Sequence, residues 1–458
     1  MNKLNKVMTT CLMAFVYPIV TYAQESTVLH TLWNKIEKQY PGVAAKDAII
    51  KSSQYQAKAT HSKALPQGKV QLQNSYGTFE GSNGAFFPQT GFFNVSGNVQ
   101  SLSGSDITAN TFGSSTIEWD LYTFGRQTFE NKASDAHTAQ TVMEKDLYLL
   151  KLKQELAMRY IDLLYSHTRM EWATKNSIRL ADIKAVSISL STAGLRPIAD
   201  TLLSSSAYIQ SLADQDQWYG KKQSDFIHLA ELYGSDSIDY AASIPKFIIA
   251  SPPAWSPRVS VMEHPALSVL ERKIEHLEWS GKAINRSGFP VVKIMGGYAY
   301  RGSGINSQGH ASSKWQEGFS NTTNNYLIGI GMTWNVSSIF TNRLKKESFE
   351  QLSLSSKYSL REYTNKLHAD LSAYTQELNQ QALQLHKNLL SVQQAVSAYE
   401  MYTARYKSGL LSLSELLQIR QLLEQTELKQ IEASKAYWDL WVKEASLTTD
   451  FKTLFDTI

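Results

Sequence analysis

The sequence predicts a mixed α and β protein in which long antiparallel helices alternate with pairs of short strands, and in which one helix–strand–strand–helix–helix unit occurs twice. Glycine is distributed very unevenly along the 458 residues: 19 of the 24 glycines lie in two windows, 68–125 and 281–331. Residues 127–193 contain neither glycine nor proline, and after residue 331 the only such residue is Gly409. Because both residues disfavour helix interiors, the windows predict strands and loops, and the stretches that follow them predict long helices.

The first 23 residues have the pattern of a cleaved signal peptide. Lys3 and Lys6 give a positive start, an apolar run follows from about residue 11 to residue 20, and residues 21–23 resemble a signal-peptidase site. The alternative is an uncleaved membrane anchor, but the run is shorter than the roughly 20 residues of a spanning helix. Cys11 is the only cysteine, so we expect a mature chain, beginning near residue 24, without thiols, disulfides or cysteine-bound metal.

The stretches without glycine or proline also have the periodicity of helices. Apolar residues recur at steps of three and four, as at Leu149, Leu152 and Leu156. At about 1.5 Å per residue, a helix over 127–193 is on the order of 100 Å long. Gly220 lies within one predicted return helix and weakens the prediction there. The predicted long helices are 127–193 and 341–408, and the predicted return helices are 195–231 and 410–447.

Each glycine-rich window opens and closes with a strand-like run. The predicted strands are about 69–80, 114–124, 291–301 and 326–336. Apolar residues alternate at Ile117, Trp119 and Leu121, and the lengths are near those of membrane-spanning strands. Aromatic residues near the strand ends suit a membrane–water interface, although the strands alone fit a soluble sheet equally well. These candidate interface residues are Trp119, Tyr122, Phe124, Tyr298, Tyr300 and Trp334.

The two halves of the chain correspond in spacing. The spacing from Pro41 to Pro66 is repeated, 224 residues later, from Pro265 to Pro290. The spacing from residue 119 to residue 194 is repeated, 215 residues later, from 334 to 409. The offset changes only inside the polar loop between the strands, where a length difference costs little. We therefore predict an internal duplication. Its parts are a first repeat at 24–231, a linker at 232–262, a second repeat at 263–447 and a tail at 448–458.

Several segments resemble the TolC family of outer-membrane efflux proteins (OEP), and the resemblance covers nearly the whole mature chain. These segments are His264-Pro265-Ala266-Leu267, Phe289-Pro290, Trp119-Asp120-Leu121 with Gly125-Arg126, and the run from Arg405-Tyr406-Lys407-Ser408-Gly409-Leu410 through Glu415-Leu416-Leu417 to Ala436-Tyr437-Trp438. The resemblance implies a homotrimer in which each subunit gives four transmembrane β-strands to one twelve-stranded barrel. It also implies that the helices form an α-helical barrel through the periplasm, with the linker in its equatorial region.

The resemblance further implies a passive outer-membrane channel of a tripartite efflux or type I secretion system, exporting small molecules or polypeptides. Its partners would be a periplasmic adaptor protein, an inner-membrane transporter and outer-membrane lipid. Physical reasoning agrees that sister chains are needed, because four strands cannot close a barrel and open edges in hydrocarbon leave backbone groups unpaired. The alternative is a periplasmic coiled-coil scaffold or adaptor without a pore, since long heptad-like helices are typical of scaffolds.

The two helix turns are the predicted contact with the adaptor. By resemblance, the contact residues are Gly194, Leu195, Gly409 and Leu410. Asp200 and Glu415 are, by the same resemblance, candidates for an acidic gate at the periplasmic end. The alternative is capping, because residues 412–415 have the capping-box pattern and Asp200 in a first turn suits the helix dipole. Gln418 and Leu411 depart from residues that the family often carries, which weakens the prediction of an ionic gate.

Charge and motifs favour neither an enzyme nor a nucleic-acid-binding protein. The 45 Lys and Arg residues nearly balance the 41 Asp and Glu residues, and the basic residues are dispersed instead of clustered. The sequence has no nucleophile elbow, phosphate-binding loop or HExxH metal motif. We therefore expect no catalytic residue, no cofactor, no metal site and no nucleic-acid partner.

Overall fold

The computed structural model describes residues 28–78, 103–104, 107–234, 237–249 and 263–458. The predicted signal peptide and much of the first polar loop lie outside these residues. The elements up to residue 249 are α1 (Val28–Gln39), α2 (Pro41–Ser62), β1 (Gln67–Thr78), β2 (Ser103–Gly104), β3 (Ile107–Tyr122), α3 (Arg126–Thr192), α4 (Ile198–Tyr233) and α5 (Ser243–Ile249). The elements after residue 263 are α6 (Pro265–Arg286), β4 (Val291–Ser303), β5 (His310–Ala311), a 3₁₀ helix (Trp315–Phe319), β6 (Thr323–Thr333), α7 (Ser338–Lys407), α8 (Leu413–Thr448) and α9 (Phe451–Thr457).

The molecule is a mixed α and β protein, as the glycine distribution predicts. Four long strands form one antiparallel sheet in the order β1–β3–β4–β6. The helices that precede or follow these strands pack side by side in the matching order α2–α3–α6–α7. The sheet and this layer of helices therefore form one continuous wall, with β1 and α2 at one edge and β6 and α7 at the other.

The two long helices contain 67 and 70 residues, so each is on the order of 100 Å long. α4 continues through Gly220 without a break, because packing against α3 along its length outweighs the cost of one unfavourable residue. β3 begins at Ile107, ahead of the predicted start near residue 114. None of the described helices combines the length and the apolar character needed to cross a membrane.

The largest hydrophobic core lies midway along the long helices. It joins α1, the middle of α3, the end of α4, α5, α8 and α9. Trp438 of α8 donates its indole N–H to the carbonyl of Phe247 at 3.0 Å, and Tyr160 of α3 donates to the Ser243 hydroxyl at 2.8 Å. Both bonds fasten α5, which lies within the predicted linker. The predicted tail also forms part of this core, because α9 buries Phe455 against it.

The segment between β4 and β6 folds back across the far end of the sheet. The Tyr76 hydroxyl of β1 donates to the carbonyl of Ser313 at 2.6 Å. A Cβ atom at Gly302 would lie 2.5 Å from the carbonyl oxygen of Gly318, so only glycine permits this close approach. The glycines of the second window thus serve loop packing as well as turns.

Replacement of Phe455 by alanine tests the role of α9 in the core. Phe455 is 2% exposed, and truncating a buried phenylalanine costs about 3–5 kcal/mol. We expect Phe455→Ala to lower the melting temperature, followed by circular dichroism in detergent, by several degrees. Lys452→Ala on the exposed side of the same helix is the matched control, and equal melting of the two variants would contradict this role.

His264 should make stability depend on pH. Its side chain caps α6, accepting from the backbone N–H of Ala266 at 3.2 Å, and burial lowers the pKa of His264 from its ordinary 6.5. The His264 imidazole therefore binds a proton more tightly in the unfolded chain than in the folded protein. The cap contributes fully above about pH 6.5 and is lost as the pH falls through the lowered pKa.

The expected measurement is a fall in melting temperature between pH 7.5 and 5 that is shallower in His264→Asn, because asparagine caps a helix without titrating. The exposed His386, replaced by asparagine in the same way, should leave the wild-type slope unchanged. If the melting temperature of His264→Asn falls with pH as steeply as that of the wild type, the capping histidine is not the source of the pH dependence.

Candidate functional site: the two-faced sheet and the helix turns

The strand pairing gives the sheet two chemically different faces. Directly paired residues share a face, and faces alternate along each strand. All five charged residues of the four long strands fall on one face, here called the polar face: Lys69, Glu118, Asp120, Lys293 and Arg301. The opposite, apolar face carries Val70, Leu72, Ile117, Trp119, Ile294, Tyr298, Tyr300, Tyr326, Ile328, Ile330 and Met332. Many of these apolar side chains are exposed, with Leu72 at 84% and Ile328 at 77%.

Four of the six predicted interface aromatics lie on the apolar face. Trp119 is near the helix end of the sheet, whereas Tyr298 and Tyr300 are near the far end. A bulge between Asp120 and Tyr122 turns Tyr122 onto the apolar face, opposite Val292. The rows of Trp119 and Tyr300 are six residues apart, about 20 Å along the strands. The remaining two, Phe124 and Trp334, lie in the connections to α3 and α7.

The two predicted tryptophans make the same contact in each half of the chain. Trp119 donates its indole N–H to the carbonyl of Ala64 at 2.8 Å, and Trp334 donates to the carbonyl of Gly288 at 3.0 Å. Each acceptor lies just before the first strand of its half. Ala64 and Gly288 are 224 residues apart, the offset that separates Pro66 from Pro290.

Charged side chains on the polar face form an ion-pair ladder that continues onto the helices. Lys293 lies 3.8 Å from Glu118 and 3.5 Å from Asp120. Arg126, at the start of α3, contacts Asp120 at 3.1 Å and Glu130 at 3.7 Å, and Lys63 reaches Glu130 at 3.9 Å. Positive and negative groups alternate in this ladder of Glu118, Lys293, Asp120, Arg126, Glu130 and Lys63. The alternation of apolar residues in the sequence predicted the strands, but it did not predict which charged residues form these ion pairs.

Below the ladder, the polar side continues as a cavity of about 580 Å³ between α2, α3, α6 and α7. Glu130 and Lys63 of the ladder line it, so the cavity opens on the side of the polar face. His137 and His276 also line it, with ring centroids 5.2 Å apart. Among the described residues, no three His, Cys, Asp or Glu side chains are grouped so that they could hold a metal ion.

The two helix reversals have the same backbone geometry. Gly194 and Gly409 have φ angles of 72° and 74°, in the left-handed region that favours glycine. Each following residue donates its N–H to the carbonyl five residues earlier, Leu195 at 2.9 Å and Leu410 at 3.0 Å. This is the Schellman motif. Both turns lie at the end of the helices remote from the sheet.

The turns are joined by Arg196, which sequence reasoning missed. Its guanidinium donates to the carbonyl of Gly409 at 3.1 Å and also to the carbonyl of Leu411. Leu413 and Leu416 at the start of α8 are buried against Tyr406 and against Leu180 and Ile183 of α3. The sequence does show an arginine close to a turn glycine. It could not show the bonding partners of this arginine, because they are backbone atoms 213 or more residues away.

The acidic candidates differ in their surroundings. Glu415 forms a complete capping box with Ser412, whose backbone N–H and hydroxyl donate to its carboxylate at 2.9 and 2.6 Å. The Ser412 hydroxyl and amide hold the pKa of the Glu415 carboxyl below its ordinary value. Asp200 lies in the first turn of α4. The geometry therefore accounts for Glu415 as the partner of the N-cap residue Ser412 in a capping box.

Removal of the Arg196 side-chain charge tests the link between the turns. Because the group is partly exposed, the two bonds together contribute on the order of 1 kcal/mol. We expect Arg196→Gln to raise amide hydrogen exchange at Gly409 and Leu410 by about fivefold. Lys407→Gln, exposed at the end of α7 next to the second turn, is the control. Identical exchange in wild type and Arg196→Gln would contradict the link.

Comparison with known proteins identifies the fold. No protein-family profile and no curated protein sequence matches the chain. The outer-membrane channel OprN superposes with a TM-score of 0.72 at 14% identity, covering 92% of this chain and 89% of that one. CusC gives 0.72 at 13% identity, over 92% and 91%. The MtrE outer membrane channel of Neisseria gonorrhoeae, solved in its open state, gives 0.70 at 12%, over 92% and 89%. The chain has the mixed α and β fold of the TolC-type outer-membrane channels, as its sequence motifs predict.

Proposed function

We propose that this protein is the outer-membrane channel subunit of a tripartite efflux or type I secretion system, a passive conduit through the periplasm and outer membrane. The observation that carries this proposal is the sidedness of the sheet. Every charged strand residue is on one face, and the opposite face exposes large apolar side chains between aromatic rows. A lipid-facing outside and a water-facing lumen require that pattern.

The unpaired strands β1 and β6 support a homotrimer. In the described sheet each pairs on one side only, and unpaired backbone groups in hydrocarbon cost several kcal/mol each. Pairing β6 of one copy with β1 of the next removes both edges. The number three, with twelve strands and an α-helical barrel below them, is what the family resemblance of the sequence implies.

We propose the helix turns as the contact with a periplasmic adaptor protein, which in turn would join an inner-membrane transporter. Leu195 and Leu410 are 69% and 72% exposed beside the turn glycines. Ile198 and Leu202 extend this apolar surface along the start of α4, at 75% and 69%. Exposed apolar groups at the end of a rod favour docking to another protein. A gate at Asp200 and Glu415 remains a proposal, and the cap geometry of Glu415 favours the structural role.

We also propose that the two halves descend from a duplication. The support is the equal order of elements after residue 40 and after residue 264, the repeated tryptophan-to-carbonyl bond and the identical turn motif. The competing function, a pore-free scaffold, needs the helices only. It gives no reason for an apolar face on the sheet.

Two adjacent residues of β6 provide a sharp test. Ile328 and Leu327 are similarly exposed, at 77% and 75%, but lie on the apolar and polar faces respectively. An arginine facing lipid costs about 2–4 kcal/mol near the membrane centre. We expect wild type to form conducting pores in planar bilayers, Ile328→Arg to lose most insertion, and Leu327→Arg to insert and shift selectivity towards anions.

The outcome separates the two functions. A wild-type protein that stays in solution without detergent and never conducts would exclude the channel. Equal insertion of the two arginine variants would show that the faces are not lipid-facing and lumen-facing. Circular dichroism of both variants in detergent checks that each retains its helices.

A further inference from the structure

Aromatic side chains continue from the apolar face onto the first turns of the helices. Tyr122 contacts Phe124 with ring centroids 4.6 Å apart, and Phe124 stacks on Phe289 at 5.9 Å. One helical turn further from the sheet, Phe129 of α3 stacks on Trp279 of α6 at 5.7 Å. Since Tyr122 lies on the apolar face, this aromatic row extends that face beyond the strands.

Three cations surround these rings. Lys132 and Lys282 place their ammonium groups 4.5 and 4.0 Å from the Trp279 ring centroid, and the Arg286 guanidinium lies 5.0 Å from that of Phe289. They are called here the basic collar. Trp279, Lys282 and Arg286 follow the spacing of a single helix face.

Within 4 Å, the collar cations have no ion pair with a carboxylate among the described residues, and the acids nearest in helical spacing contact other side chains. Asp135, three residues from Lys132, contacts His61 at 3.0 Å. Glu278, four residues before Lys282, is bound by Lys357 at 2.7 Å. Lys357 chiefly, and Lys282 at longer range, hold the pKa of the Glu278 carboxyl below its ordinary value. On the ladder side, by contrast, Arg126, Lys293 and Lys63 each contact a carboxylate.

The collar and the cavity occupy different sides of the same two helices. On α3, Lys132 and the nearby Phe129 lie about a third of a turn around the helix from the cavity-lining positions. On α6, Lys282, Arg286 and Trp279 are displaced from the cavity-lining positions by a similar angle. The collar therefore faces outward, below the apolar face, at the level where the membrane surface would meet the helices.

We propose that the basic collar of Lys132, Lys282 and Arg286 around Trp279 and Phe289 binds anionic phospholipid headgroups of the leaflet on the helix side of the sheet, an inference that rests on the proposed function. The phosphate would meet the unpaired cations, and the aromatic rings would lie at the boundary with the acyl chains. In a closed ring of copies the collar would recur once in each copy, at the same level below the sheet. It would fix the depth of the sheet in the membrane.

The test compares two charge-matched triple variants of the full-length protein in nanodiscs of phosphatidylcholine alone or mixed with phosphatidylglycerol. Lys132→Gln, Lys282→Gln and Arg286→Gln together remove the collar. The control removes three exposed lysines elsewhere on α7 and α8: Lys366→Gln, Lys387→Gln and Lys429→Gln. Lipid retained by the protein is measured by native mass spectrometry, and conductance is recorded for each protein.

Wild type and control should retain phosphatidylglycerol over phosphatidylcholine, and the collar variant should lose about a hundredfold in apparent affinity for the anionic lipid. The preference should fall at high salt. Equal retention of both lipids by wild type, or an equal loss in the control, would overturn the proposal. If wild type conducts but shows no lipid preference, only this inference fails; if it neither inserts nor conducts, the channel function fails with it.

Discussion

The free edges of a two-faced sheet are the constraint on which the rest of the structure depends. In water, the apolar face leaves Leu72 and Ile328 exposed; in lipid, the open backbone edges of β1 and β6 lack partners. A single copy is therefore unfavourable in either solvent. Water can bond to the backbone edges but leaves the apolar face exposed, whereas lipid covers the apolar face but leaves the backbone edges unpaired. The proposed channel, a closed cylinder of several copies in a membrane, would meet both requirements. The helices lie in the same order as the strands to which they connect, so the proposed closure of the strands would bring the helices of neighbouring copies together as well.

The sidedness of the sheet is transmitted to the helices by two different kinds of contact. On the polar side, the ladder carries alternating charges from Lys293 through Arg126 to Lys63, each contact being weak alone because it is partly exposed. On the apolar side, stacked rings carry the surface from Tyr122 to Phe289. The difference between the polar side and the apolar side of the sheet therefore continues where the strands connect to the helices.

The sequence was most informative where backbone chemistry decides the structure. Glycine and proline positions place the long helices within a few residues, and Gly194 and Gly409 mark both turns because few other residues adopt their φ. Contacts between distant side chains were not predictable. Arg196 bonds to carbonyl oxygens of the other turn, which any residue type supplies. The burial of Phe455 depends on contacts of α9 with α1 and α8, which are distant or separate elements. The sequence therefore predicted only a tail at 448–458. Strand register likewise decides which face carries Lys293, and alternation in one strand cannot fix register between strands.

The two halves share their backbone but not their surfaces, and this difference constrains how the turns can work. Both turns have the same Schellman geometry, yet the first is followed by exposed Ile198 and Leu202, whereas the second is followed by buried Leu413 and Leu416. Arg196 of the first turn donates to two carbonyls of the second turn. The residue at the corresponding position of the second turn is Leu411, whose side chain has no hydrogen-bond donor. The second hairpin is thus held against α3, and the first return helix is left with an open apolar surface. A partner at this end would therefore meet two chemically distinct turns per subunit, so the tip of a trimer would present three repeats of an asymmetric pair instead of six equal sites.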